Sequence, residues 1–181
     1  MPDDPWLVVI DMQTVFADPA SPWHVPSFPE TAAAVARLLP RFGPRTVFTR
    51  FVPPRRIEGS WRAYYQRWGF AAAAPASDPL WALADPWAGA GEAWTAHQFS
   101  KFGPDLLRIT GALPTLVLCG VSTDCCVLAT ALAAVDGGAH VRLVADACGA
   151  GSPAVHDQAL ALARSRAPML TVTTVAAELA G

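Results

Sequence analysis

The sequence lacks the patterns of a membrane-spanning or nucleic-acid-binding protein. No apolar run approaches the roughly 20 residues that cross a bilayer, and no basic run is long enough for a nucleic-acid patch. Arg55-Arg56 is the only arginine pair, and the formal net charge of the 181 residues is −2. The acidic start, MPDDPW, leads directly into an apolar run and does not resemble a signal peptide. We therefore expect a cytoplasmic protein that binds neither membranes nor nucleic acids.

Two cofactor motifs are also missing. The four cysteines form no CxxC pair, which argues against a zinc site. No GxGxxG follows the first apolar run, which argues against a dinucleotide-binding or redox protein. We predict no cofactor, and free thiols, because neighbouring cysteines rarely bridge each other and a cytosolic protein keeps its thiols reduced. Cys119 and Cys148 lie in strand-like contexts and are predicted to pack as small core residues.

Lysine is nearly absent from the chain. Lys101 stands alone beside twelve arginines, a bias that suggests arginine has replaced ordinary surface lysine. A lysine ammonium is compact, and its pKa is readily tuned by its surroundings. Lys101 is therefore a candidate functional residue, although chance retention explains it equally well.

Apolar strand patterns alternate with helical patterns along the chain. The strand patterns cover residues 6–10, 46–49, 115–119, 141–145 and 169–173, and the helical patterns cover residues 28–39, 104–109, 124–135 and 152–164. This alternation predicts parallel βαβ units with right-handed crossovers and helices on both faces of the sheet. Hydrophobic residues make up 52% of the chain and charged residues 15%, which fits an α/β domain with a sizeable core.

The middle of the chain, residues 53–94, has a different composition. It is rich in proline, glycine, alanine and aromatic residues, including Trp61, Trp68, Trp81, Trp87 and Trp94. The segment is long for a plain connection. It is interpreted either as walls over a site or as an aromatic covering that completes the core, and the two readings are compatible.

The run Thr115–Thr130, TLVLCGVSTDCCVLAT, carries the strongest functional signal. A strand pattern passes through a glycine turn into a helix that begins at two thiols, at the sheet edge where α/β proteins bind ligands. Unpaired N–H groups and the helix dipole favour a thiolate there. Cys125 lies on the apolar stripe of the helix, so it is predicted to pack in the core. Cys126 lies about 100° away and is predicted to face the crevice.

Asp11 ends the first strand pattern at the same predicted edge of the sheet. It is either a turn or capping aspartate or a general base that takes the proton of the thiol. In the second case Lys101 would stabilise the thiolate and lower its pKa, and N–H groups of the 122–126 turn would hold the oxyanion formed on a carbonyl substrate. His97 is the alternative partner for the thiol. Gln13 and Phe16 follow Asp11 and either position it or pack.

Two blocks of sequence resemble the isochorismatase-like cysteine hydrolase family, which includes nicotinamidases, carbamoylsarcosine amidases and ureidoacrylate hydrolases. They are VVIDMQTVF at Val8–Phe16 and CGVSTDCCVLATALAA at Cys119–Ala134. The resemblance implies one hydrolase domain over residues 1–181, folded as a three-layer α/β/α Rossmann-like sandwich with a mostly parallel central sheet. It implies Asp11 as the catalytic carboxylate and Cys126 as the nucleophile.

The resemblance also implies surroundings for these two residues. A cis peptide between Val121 and Ser122 would aim N–H groups of the turn at the oxyanion. Gln13, Phe16 and Trp23 join Val121 and Ser122 as oxyanion or substrate-binding residues, with walls from the Phe16–Trp23 loop. The implied reaction cleaves a C–N bond of a small amide, carbamoyl or ureido substrate through a thioester, in a homodimer or homotetramer.

The match departs from the family pattern at the lysine. Family members often show Lys-x-x-Tyr-Ser-x-Phe, whereas this chain reads TAHQFSKF and has Ala96 in the lysine column. Lys101 is predicted to reach back into the site; otherwise His97 substitutes for it, or the protein is catalytically altered. The segment after Thr49, TRFVPPRR, has no counterpart of the aspartate and two histidines of nicotinamidases, so no metal is expected. Vinyl-ether hydrolysis of isochorismate is the alternative activity.

Overall fold

A computed structural model of the chain describes residues 5–89 and 93–180. Within them, six strands form one sheet in the order β3-β2-β1-β4-β5-β6, and every neighbouring pair is parallel. The strands are β1 (Trp6–Ile10), β2 (Thr46–Phe51), β3 (Trp94–Ala96), β4 (Thr115–Val121), β5 (His140–Gly149) and β6 (Leu170–Thr173). The predicted parallel sheet is confirmed.

Eight α-helices accompany the sheet in the described part of the chain. They are α1 (Thr14–Ala17), α2 (Phe28–Phe42), α3 (Trp61–Arg67), α4 (Gly69–Ala73), α5 (Pro104–Thr110), α6 (Leu128–Asp136), α7 (Pro153–Arg164) and α8 (Val175–Ala180). The helix α7 begins as its Ser-Pro signal predicts, because the Ser152 hydroxyl accepts a hydrogen bond from the Val155 N–H at 3.4 Å. No helix among these residues is long and apolar enough to cross a bilayer.

The sheet has a hydrophobic layer on each face. Successive side chains of a strand point to opposite faces, and those of β1 divide accordingly: Leu7 and Val9 join the core with α2, whereas Val8 and Ile10 join the core with α6 and α7. All four side chains are fully buried. This two-sided burial explains why β1 is a continuous apolar run, and it confirms the three-layer α/β/α prediction.

The predicted elements differ from the structure in three places. The short strand β3 was not predicted, because three residues give too little pattern. The helix predicted over residues 124–135 begins instead with a π-helical turn, Thr123–Val127, and continues as α6. The middle segment contains α3 and α4 rather than only irregular chain. The acidic start of the chain at residues 1–4 and the part of the middle segment at residues 90–92 lie outside the described residues.

The neighbouring strands β1 and β4 bring the two motifs together. Gly120 lies opposite Ile10 in the parallel register. It has a φ of +110°, and a Cβ at this position would overlap the Ile10 carbonyl oxygen. Glycine is therefore required here both by backbone conformation and by space. The peptide bond between Val121 and Ser122, which follows shortly after, is cis, as the family resemblance implied.

Candidate active site

Asp11 and Lys101 form an ion pair beneath the carboxyl edge of the sheet. The Asp11 Oδ2 and Lys101 Nζ atoms are 2.8 Å apart, and neither side chain has exposed surface. The ammonium also donates hydrogen bonds to the carbonyl oxygens of Gln98 and Phe99, each at 3.1 Å. Lys101 therefore reaches back to Asp11 from the loop after β3, as predicted.

The ammonium of Lys101 is held in its charged form. Burial lowers the pKa of Lys101, but the Asp11 carboxylate and the neighbouring thiols raise it, and its pKa lies above the ordinary value. A buried charge is tolerated only when it is paired and hydrogen bonded. Both conditions hold here, so Lys101 carries a positive charge at neutral pH.

Asp11 is fixed by backbone and side-chain contacts to the end of β2. It has a φ of +50°, a left-handed conformation that aspartate tolerates better than most residues. Its N–H donates to the Thr49 carbonyl oxygen at 3.2 Å, and its Oδ1 accepts a hydrogen bond from the Thr49 hydroxyl at 2.9 Å. Its Oδ2 is buried and has no hydrogen-bond donor aligned with it beyond the ion pair. That oxygen can still accept a hydrogen bond from a further donor.

The thiols of Cys125 and Cys126 both line one cavity of about 330 Å³. Cys126 is 4% exposed, and Cys125 is the less buried of the two. Cys125 packs against the core, as predicted, but it also faces the cavity, which the prediction missed. The error arises because residues 123–127 form a π-helical turn, and an α-helical period does not apply across it.

Several groups around Cys126 raise the pKa of its thiol. A hydrogen bond with Cys125 raises the pKa of Cys126 well above its ordinary value, and burial and the Asp11 carboxylate act in the same direction. Lys101 lowers the pKa of Cys126 as predicted, but its charge is already matched by Asp11. Burial and the contact with Cys125 thus oppose the thiolate that the turn was expected to favour.

The proposed substrate-binding residues divide into two groups. Phe16, Trp23 and Ser122 line the cavity, as predicted. Val121 is fully buried in β4 and is not part of the lining. Gln13 is also fully buried and outside the lining.

The carboxamide of Gln13 ties three backbone groups together. It donates to the carbonyl oxygens of Phe51 and Trp81 at 2.9 and 2.8 Å, and it accepts a hydrogen bond from the Phe51 N–H at 2.7 Å. These contacts use both of its donors. Gln13 therefore fixes the chain beside Asp11 and is not available to a substrate.

His97, the predicted alternative to Lys101, lies elsewhere. It is exposed, and its Nδ1 is 2.7 Å from the Val52 carbonyl oxygen. It is not part of the cavity lining. Of the two candidates, Lys101 is the one that contacts Asp11.

Several site residues were missed by sequence reasoning. Thr49 lies in β2 beside Asp11 and is the last residue of the strand pattern predicted over residues 46–49, and that position could have indicated it. Phe99 lines the cavity without any sequence signal, whereas Tyr64 and Trp68 line it from the aromatic middle segment that was interpreted as walls over a site. Asp124 also lines the cavity, and it accepts a hydrogen bond from the Ser122 hydroxyl. Cys119 and Cys148 are buried, as predicted. The described residues contain no group of three or more His, Cys, Asp or Glu that could hold a metal ion.

Comparisons with known proteins agree with this architecture. An Isochorismatase domain model matches residues 5–177. The isochorismatase domain-containing protein 2 of Xenopus laevis is 37% identical over 84 residues, which cover 45% of this chain and 40% of that protein. A cysteine hydrolase from Pseudomonas syringae pv. phaseolicola 1448A superposes with a TM-score of 0.81 and 22% identity, over 98% of this chain and 92% of that chain.

A second solved structure has the same fold. The N-carbamoylsarcosine amidase from Thermoplasma acidophilum superposes with a TM-score of 0.71 and 22% identity, over 95% of this chain and 96% of that chain. At such identities the superpositions show only that the fold is shared. The family model covers almost the whole described chain and shows the family. From its first strand to its last helix, the chain belongs to the isochorismatase family of hydrolases.

Proposed function

We propose that this protein is a cysteine-dependent hydrolase that cleaves a C–N bond of a small amide, carbamoyl or ureido compound through a thioester on Cys126. The observation that carries the proposal is the position of Cys126. Its thiol lines the cavity, and the charges of the buried Asp11–Lys101 pair act on it. One side chain thus connects the space for a substrate with a buried acid–base pair.

Activation of the thiol is assigned to Asp11. The Oδ2 of Asp11 accepts the proton of Cys126 as the sulfur attacks the substrate carbonyl carbon. The raised pKa of Cys126 requires such a base at neutral pH. The Lys101 ammonium is paired with Asp11 before this step, and it offsets the negative charge on the sulfur as the proton leaves.

The remaining steps return the enzyme to its starting state. N–H groups of the 122–126 turn stabilise the negative oxygen of the tetrahedral intermediate. Asp11 gives its proton to the departing nitrogen, the C–N bond breaks, and a thioester is left on Cys126. Water then adds to the thioester carbonyl and loses a proton to Asp11. The sulfur leaves as the thiol, and the acid product is released.

Related proteins give independent support for this reaction class. The family model describes hydrolases, and two proteins of the same fold are a cysteine hydrolase and an N-carbamoylsarcosine amidase. We also infer that residues 1–181 form one hydrolase domain. This domain would act on a small molecule that the cavity can enclose.

The test is a panel of small amides with ammonia release as the readout. Cys126→Ala should abolish the activity, whereas the matched variant Cys125→Ala should still form an acyl-enzyme. Mass spectrometry of the quenched reaction should locate the acyl group on Cys126. Full activity of a folded Cys126→Ala protein would refute the proposal.

A further inference from the structure

We infer that the cavity selects against negative charge, so that its substrate is an uncharged amide with a flat apolar group and no carboxylate. This inference rests on the proposed function only in taking the substrate to be an amide. The recognition itself follows from which side chains face the cavity. It narrows the substrate class of the site by charge and shape.

The apolar walls of the cavity are rings that hold one another in place. The Trp23 ring lies 6.1 Å from the ring centroids of Phe16, Tyr64 and Trp68, and 5.1 Å from that of Phe70. Such distances are typical of stabilising aromatic pairs. Phe16, Trp23, Tyr64 and Trp68 all line the cavity. Their mutual contacts favour a rigid, flat-sided space over one that reshapes around its ligand.

The charged groups of the lining are unfavourable for an anion. Among the described residues, the lining contains no arginine and no lysine, and its basic side chain is His24. Its acidic side chain is Asp124, in the same turn as Cys126. A carboxylate in the cavity would therefore leave water without an arginine or lysine partner and would face the carboxylate of Asp124.

Two cations lie close to the lining, and neither is placed to bind an anionic group in the cavity. The Lys101 ammonium is fully buried, and Asp11 and the carbonyl oxygens of Gln98 and Phe99 surround it. The Arg67 guanidinium is 5.2 Å from the centroid of the Trp68 ring, but Arg67 is exposed and is not part of the lining. An anionic substrate group thus finds no free donor cation at either position.

The charge selectivity also separates candidate substrates of the family. Isochorismate carries two carboxylates, so the alternative vinyl-ether reaction is disfavoured in this cavity. Amides and ureido compounds that bear a carboxylate are disfavoured for the same reason. A neutral aryl carboxamide places its ring against Trp23 and its carbonyl carbon near Cys126.

The test compares three ligands that differ in one property each. Benzamide is neutral and flat, benzoate is its anionic isostere, and acetamide is neutral but lacks the ring. Dissociation constants are measured by saturation-transfer NMR titration on the Cys126→Ala protein, so that no turnover occurs, and are repeated on Cys126→Ser. We expect benzamide to bind at least tenfold more tightly than benzoate or acetamide. Benzoate binding as tightly as benzamide, or acetamide matching benzamide, would overturn the inference.

A charge reversal in the lining gives the second arm of the test. Asp124→Arg in the same background should strengthen benzoate binding at least tenfold relative to benzamide binding. Asp136→Arg, with the same change of net charge at the exposed far end of α6, should alter neither ligand. Equal effects of the two variants would also overturn the inference. Because the readout is binding, its failure is distinct from a loss of amide hydrolysis.

Discussion

The buried ion pair between Asp11 and Lys101 gives the sharpest quantitative prediction. Its Oδ2 and Nζ atoms are 2.8 Å apart, with no exposed surface on either side chain. At an effective dielectric constant of about 20, two unit charges at this separation attract each other by about 6 kcal/mol. Much of this attraction offsets the cost of taking both charges out of water.

Removing one partner leaves the other charge buried and unmatched. We expect Lys101→Met and Asp11→Asn each to lower the free energy of unfolding by about 3–5 kcal/mol. The double variant buries two neutral side chains instead. Its loss should therefore be smaller than the sum of the single losses by at least about 2 kcal/mol.

The assay is urea unfolding at pH 7, followed by tryptophan fluorescence, for the complete double-mutant cycle. The chain offers a matched control in Arg56 and Glu58, whose ion pair has a 2.7 Å separation but side chains that are 87% and 56% exposed. For this exposed pair we expect a coupling below about 1 kcal/mol. If the buried pair shows a coupling no larger than the exposed one, the reasoning about Asp11 and Lys101 is refuted.

Four further predictions follow from the site and the sheet. Iodoacetamide should modify Cys126 more slowly than free cysteine at pH 7, and the rate should still rise above pH 9, because the thiolate is the reactive form and the pKa of Cys126 is raised. Cys125→Ala should shift this rise to lower pH. An unchanged pH profile would count against the hydrogen bond between the two thiols. Thr49→Val should lower the free energy of unfolding by about 1–3 kcal/mol and reduce kcat, since Asp11 loses a donor; normal values of both would contradict this role. Gly120→Ala should cost at least about 2 kcal/mol in urea unfolding, and a neutral result would show that β1 and β4 can separate. That the protein forms a homodimer or homotetramer stays a prediction. Light scattering after gel filtration will test it by measuring the molar mass, and the mass of a monomer would contradict it.

The strand-end residues could be predicted because the sequence contains their physical cause. Both Asp11 and the cysteine turn follow apolar strands that are buried on two faces. Carboxyl ends of adjacent parallel strands meet at one edge. The start of α7 could also be predicted, because its serine and proline form a local helix-capping signal.

Other features depend on contacts between distant parts of the chain. The position of Lys101 depends on a loop whose path is set by carbonyl partners and by Asp11. The raised pKa of Cys126 depends on its hydrogen bond with Cys125 and on burial, which outweigh a nearby cation. The role of Gln13 depends on backbone groups of Phe51 and Trp81, which no local pattern relates to it.

The separation of the sheet from the aromatic walls has a consequence for how this protein can change. Asp11 and Cys126 follow the two central strands, β1 and β4, whereas Trp23, Tyr64 and Trp68 lie on segments outside the sheet. Mutations that remodel these outer segments can therefore alter ligand preference while the reactive groups keep their mutual geometry. For directed evolution, the outer segments are the part to randomise, and the strand ends are the part to leave intact.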